Sequence, residues 1–287
     1  MFVSQRRERT KPIVAAVGRG FTTERRTEQI ADVNFFADAI VRAFLARIPH
    51  RGCECAANFY SHAHKMEVFI IVTVLWVFSV CLHEFGHAWA AYRGGDHTVR
   101  EKGYLTLNPL RYTHPVLSIV MPVVFMMLGG IGLPGGAVYI ERHRLRSRGW
   151  ETWVSLAGPA MNIPVVLLIS LGFKLGWLQN DAQSLSSVSL GFLMQLEISA
   201  LVLNLLPIPP LDGFQAIAPW LPEEMREKLY AISSQTLWIL FIALWFIQPL
   251  NSAFWDVVYT ISSWLGVQPH LGYVGYKTFK FWEHSEF

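Results

Sequence analysis

The sequence predicts an all-α polytopic membrane protein with five to six membrane segments, one of them re-entrant or broken beside a polar centre. Two observations predict it. Hydrophobic residues make up 52% of the 287-residue chain and charged residues only 16%, where a soluble domain carries nearer a quarter charged. The apolar residues also gather into runs of membrane-spanning length, and the charge gathers between them. The net charge of +3 is small and spread through connecting segments, so it makes no case for nucleic acid. Eleven Trp fit anchoring at the two faces of a bilayer.

Residues 1–65 differ from everything after them. They are polar and Arg-rich, and no apolar run among them reaches spanning length. The basic start is not followed by an apolar stretch of signal-peptide type. They read as a polar extension, either disordered or lying upstream of a true start at Met66. From there the elements follow in order: a helix over 68–91, an apolar segment over 115–132, and helices over 153–177, 188–206 and 229–248. A weaker segment over 252–267 carries Asp256 and suits the membrane interface. The connections at 92–114, 139–152 and 207–228 hold most of the remaining charge. The main domain is therefore expected over 66–267, with a C-terminal tail over 268–287. Cys53, Cys55 and Cys81 have neither the number nor the spacing of a disulfide framework or a zinc ribbon.

The first apolar helix ends in His83-Glu84-Phe85-Gly86-His87. Residues four apart share a helix face, so both imidazoles can point at one ion. Glu84 sits beside them and can take a proton from a zinc-activated water without ligating the metal. The bland reading is two interfacial histidines paired with a glutamate. A His-Glu-His cluster at the end of a membrane helix is, however, costly unless it has a function.

A catalytic zinc needs a third protein ligand and an open position. Asp212 is one candidate. It follows Pro207, Pro209 and Pro210, which end the helix over 188–206 and hold the chain extended, though an Asp-Gly turn after a helix is also common. Glu197, in the middle of that helix, is the rival, because an intramembrane carboxylate is a functional candidate by default. The two are fifteen residues apart in the sequence, too far for both to bind one ion on a continuous helix. Asp212 is preferred because it lies at a helix end, as the histidines do.

At this point the sequence resembles the site-2 protease family of intramembrane zinc metalloproteases. The resemblance rests on His83-Glu-x-x-His87 in one membrane helix and on Asn204-x-x-Pro207 with Asp212-Gly213 at the end of a later one. Between them stand Leu107-Asn-Pro-Leu110, Leu133-Pro-Gly-Gly-Ala-Val138 and Ala157-Gly-Pro-Ala-Met-Asn162, which look like the compact bacterial members. It covers about residues 66–221. It implies Zn2+ held by His83, His87 and Asp212, Glu84 as catalytic acid and base, and Asn204 and Asn162 positioning substrate or transition state. Neither a PDZ-like insertion nor a nucleotide-sensing domain is recognisable.

Convergence of those ligands constrains topology. The helices that end near the histidines and near Asp212 must run the same way, so the chain between them crosses an even number of times. The segment over 115–132 then cannot be a single span. Pro122, Gly129, Gly130 and Gly132 suit a chain that dips in and returns, which is tolerated at depth where protein or a wet cavity covers it. The neighbouring 133–138 stretch could form a wall on which a substrate peptide adds as a strand. The Arg- and Lys-rich connections fall on one side, and the 178–186 connection, with neither residue, on the other. The positive-inside rule puts the metal side in the cytosol.

The expectation is thus an integral, multi-pass protein of a bacterial inner membrane that cuts membrane proteins in or near their transmembrane helices, with the lipid bilayer as its surroundings. Two alternatives belong to other classes. A metal transporter would place its ligands near mid-membrane on broken helices, and Glu84 adds nothing obvious to transport. An inactive scaffold has no need of the intact His-Glu-His and Asp-Gly set.

Overall fold

The computed structural model describes residues 54–108 and 138–282. The chain divides at Ala57/Asn58, and the account below concerns the unit from Asn58 onward. Among the described residues the architecture is all-helical. The helices are α1 (Glu54–Gly94), α2 (Thr98–Glu101), α3 (Arg148–Lys174), α4 (Leu185–Asn204), α5 (Asp212–Ile217), α6 (Glu223–Ala231), α7 (Ser233–Phe246), α8 (Gln248–Trp264) and α9 (Pro269–Phe279).

The long helices begin where local chemistry lets them. Ser147 caps α3 by accepting a hydrogen bond from the Trp150 N–H, and Ser184 caps α4 from Ser187 in the same way. Pro249 and Pro269 stand in the first turns of α8 and α9, where their missing N–H costs nothing. Pro159 and Pro164 lie inside α3, as is tolerated in membrane helices whose neighbours cover the freed carbonyls.

α4 is the central helix. Its apolar window is 72% buried, against 44% for α1 and for α3. The core around it joins Val68, Val72 and Trp76 of α1, Val166, Ile169 and Phe173 of α3, Phe254 and Val258 of α8, and Leu271 and Phe279 of α9. α9 approaches α4 closely because Gly272 and Gly275 carry no side chain. A Cβ on Gly275 would stand 2.4 Å from Phe192 Cβ. Residues 269–279 are therefore a packed helix, where the sequence suggested a tail.

Among the described residues three helices are long and apolar enough to cross a membrane: His64–Gly94 within α1, α3 and α4. The pair α6–α7 makes a fourth if it is one span, bent by 59°. The described residues thus supply three or four of the five to six expected segments. The helix expected over 229–248 starts earlier and breaks at Ile232. The reason is polarity. α6 carries Glu223, Glu224, Arg226 and Lys228, with ion pairs along its surface, while α7 has no charged residue and is apolar throughout from Leu237 to Phe246. α8 has 17 residues, about 25 Å at 1.5 Å per residue, short of a bilayer core of about 30 Å. It buries Phe254, Val258 and Ser262 while leaving Asp256 exposed. Of the extension expected over 1–65, residues 54–65 belong to α1, while residues 1–53 and the segment expected over 115–132 lie outside the described residues.

Candidate metal centre

α1 runs to Gly94, three residues beyond the end expected at 91. Seven further residues put His87 about 10 Å inside the helix end. His83 and His87 project from one face toward α3. Glycine makes that approach possible. A Cβ on Gly86 would meet the Ala157 carbonyl oxygen at 2.5 Å, and one on Gly158 would lie 2.2 Å from His87 Nε2 and 2.7 Å from His83 Nε2. Small residues at helix contacts let backbones close up inside membranes. Here they also leave room for two imidazoles.

Each ring is oriented from behind. His87 Nδ1–H donates to the Val154 carbonyl oxygen, 2.7 Å away. His83 Nδ1 lies 3.0 Å from Asn162 Oδ1. The Asn162 amide nitrogen donates to Glu197 Oε2 at 2.9 Å and to Ser79 Oγ at 3.0 Å. Asn162 Oδ1 is thus the acceptor for His83. Both histidines place their protons on Nδ1, and both Nε2 atoms carry a lone pair into the same space.

Asp212 completes the cluster from the first turn of α5. Gly213 lets α5 sit against the end of α4, since a Cβ there would lie 2.2 Å from the Leu205 carbonyl oxygen. Asp212 Oδ2 is 3.2 Å from His83 Nε2, and Oδ1 is 3.5 Å from His87 Nε2.

His83, His87 and Asp212 are the described group of His, Cys, Asp and Glu side chains able to hold a metal, with one donor atom from each within 4.8 Å of the others. The two Nε2 atoms are 3.1 Å apart. Tetrahedral zinc with ligands at 2.0–2.2 Å separates its donors by about 3.3 Å, so the residues present fit the ion and leave a fourth position. Facing lone pairs and a carboxylate repel unless a cation or shared protons lie between them. That is the structure's own argument for a metal.

Glu84 is buried but outside the donor group. Its Oε2 accepts from the Val138 N–H at 3.2 Å. Asn204 is buried at the last residue of α4. Asn162 is buried and bonded to His83 and Glu197, where the resemblance implied a contact with substrate. Glu197 is buried and bonded to Asn162, outside the donor group. Sequence reasoning missed Ser79 and the Val154 carbonyl, and had Gly158 only as part of the Ala157–Asn162 motif, without its place against the histidines. Only Gly158 carried a signal, as the small residue before Pro159.

Known proteins agree with this chemistry. The chain is 44% identical over 227 residues to Rip2 of Mycolicibacterium smegmatis, a proposed zinc metalloprotease, covering 79% of this chain and 86% of that one. It is 42% identical over 215 residues to Rip2 of Mycobacterium tuberculosis strain H37Rv, likewise a proposed zinc metalloprotease, covering 75% and 82%. With YwhC of Bacillus subtilis, also a proposed zinc metalloprotease, the identity is 31% over 207 residues, 68% of this chain and 87% of that one. No protein-family model and no solved structure matches the chain. Identity at this level over most of both chains shows that the protein is a zinc metalloprotease and belongs to the site-2 protease family.

Proposed function

We propose that the protein hydrolyses peptide bonds in or near the transmembrane segments of other membrane proteins, with His83, His87 and Asp212 holding the zinc and Glu84 moving the proton. One observation carries this reading. Three donor atoms converge from α1, which contains a stretch able to cross a membrane, and from α5, which follows another, with a buried carboxylate beside them that is not a donor. When bound, zinc supplies Lewis acidity, polarising the scissile carbonyl and acidifying water.

The chain's own residues do the rest. The Val138 N–H on Oε2 orients the Glu84 carboxylate. Glu84 takes a proton from the attacking water and returns it to the leaving amine nitrogen, work worth about 10²–10⁴-fold. Val154 and Asn162 keep both Nε2 lone pairs turned inward. Transport accounts less well for Glu84, which contributes no ligand.

The flanks of residues 109–137 support the expected topology. The Arg146 N–H donates to the Gly94 carbonyl at 2.9 Å, the Glu141 N–H to Asp96 Oδ2 at 2.8 Å, and Lys102 pairs with Glu141 at 2.9 Å. Both flanks therefore lie at one end of α1. That supports the expectation that residues 115–132 do not make a single span. Val138 beside Glu84 supports the 133–138 stretch as a wall of the site. Arg142 bonded to Gln215 and Thr152 to Ala216 gather the Arg-rich connections at that same end, which supports a multi-pass protein of the inner membrane with its active site toward the cytosol.

The test is Glu84→Gln. It is expected to keep zinc and fold while losing cleavage of a membrane-helix substrate by at least about 100-fold. Substantial remaining turnover overturns the mechanism.

A further inference from the structure

Glu197 is fully buried in the middle of α4, and hydrolysis as proposed above does not use it. A buried carboxylate is costly, so its partner matters. Its Oε2 accepts one hydrogen of the Asn162 amide at 2.9 Å, and Ser79 Oγ accepts at 3.0 Å. Both amide hydrogens are thus held on the side away from His83.

An asparagine amide has two orientations, related by a half-turn that exchanges oxygen and nitrogen. In the observed one, Oδ1 faces His83 Nδ1 at 3.0 Å. In the other, an NH2 group would face the His83 ring and Oδ1 would face the Glu197 carboxylate, acceptor against acceptor. The Glu197 carboxylate, which can only accept, is what selects the first; the Ser79 hydroxyl could donate or accept and serves either. The choice then passes on. Because Oδ1 can only accept, the His83 proton sits on Nδ1 and the lone pair on Nε2, 3.2 Å from Asp212. His87 needs no such relay, since the Val154 carbonyl can only accept.

We propose that Glu197 is a positioning residue of the metal centre: acting through Asn162, it holds His83 in the tautomer that offers Nε2 to zinc. Partners of this outer kind orient metal-bound histidines and tune their affinity. The proposal rests on His83 being a zinc ligand.

Zinc affinity of the full chain in detergent, measured by competition with a chelator, tests it. Glu197→Leu is expected to weaken zinc binding about 10–100-fold. Glu197→Gln is expected to stay within a few-fold, because its amide oxygen still accepts from Asn162. The discriminating variant is Glu197→Leu combined with Asn162→Asp. A carboxylate at 162 presents an acceptor to His83 in either orientation, so the pair is expected to recover at least about tenfold of the affinity lost in Glu197→Leu. A merely structural carboxylate predicts no recovery. Wild-type affinity in Glu197→Leu, or a double variant no tighter than Glu197→Leu alone, overturns the proposal. Asn162→Leu removes the link between Glu197 and His83 and serves should Glu197→Leu fail to fold: a weakening of about 10–100-fold supports the relay, and unchanged affinity overturns it. His83→Ala separates this from the reading of the site. Zinc lost there but kept in Glu197→Leu refutes the relay alone, while zinc kept in His83→Ala refutes the metal assignment itself.

Discussion

Replacing Gly158 with alanine puts a methyl group where the two imidazoles meet. The new Cβ would lie 2.2 Å from His87 Nε2, 2.6 Å from its Cε1 and 2.7 Å from His83 Nε2. Comfortable contact needs about 3.4 Å or more, so the His87 ring would have to retreat by about 1.2 Å. The ring is not free to do so, because its Nδ1 is held on the Val154 carbonyl at 2.7 Å. Zinc sites tolerate about 0.2 Å in ligand distance, so either coordination is lost or α3 is pushed from α1. Overpacking of this kind costs about 1–3 kcal/mol. Zinc affinity is expected to fall by at least the ~10–100-fold that loss of an outer partner costs. Metal analysis of the purified variant reads the first effect, and thermal melting of the metal-free protein reads the second. Adding His87→Ala to Gly158→Ala should recover part of the melting temperature but none of the zinc. Full zinc occupancy at wild-type affinity in Gly158→Ala would refute the tight placement of Gly158 against both rings.

Asp212→Ala is expected to lose most bound zinc and all cleavage, by metal analysis and a membrane-substrate assay; retained stoichiometric zinc would remove Asp212 from the ligand set. A 1,10-phenanthroline-type chelator should abolish cleavage, and added zinc should restore it, since the Lewis acid is removed and replaced. Glu141 is held down to about 2 by its hydrogen bond to Lys102 and then by Arg144. A carboxyl depressed in the folded state stabilises it above its ordinary value and ceases to do so as pH falls through the folded one. Melting temperature should therefore drop more steeply between pH 4.5 and 2 in wild type than in Glu141→Gln; identical profiles would mean the Lys102–Glu141–Arg144 cluster adds nothing. Single cysteines at Glu101 and His143, in a background without Cys53, Cys55 and Cys81, should label with an impermeant thiol reagent from the same side, and labelling from opposite sides would make residues 115–132 a full span.

Several features were legible in the sequence because they depend on short-range periodicity. His83 and His87 share a face by helical spacing alone, and Glu84 beside them follows from adjacency. The apolar runs marked α1, α3 and α4 because burial in a membrane needs length and low charge, both countable along the chain. Other boundaries depended on neighbours. α1 passes the expected end at 91 to reach Gly94, and its Ala88, Ala90 and Ala91 join Val99 and Val154 in a second core beyond the histidines, a packing that no local pattern announces. The break between α6 and α7 follows a change of polarity that a run of apolar letters conceals.

The site divides along the same line. Asp212 and Glu197 were competing candidates in the sequence, since each is a carboxylate at or in the same apolar helix. Only tertiary structure set Asp212 within 3.2 and 3.5 Å of the histidine nitrogens and turned Glu197 toward Asn162. Asn162 is 79 residues from His83, and Val154 is 67 from His87; separations of that size leave no trace in local spacing. By itself the sequence determined the kinds of atoms available and the two histidines that must act together. The fold decided the third donor, the tautomer of each ring and the absent side chain at Gly158, because these are set by which helices cross and how closely their backbones approach.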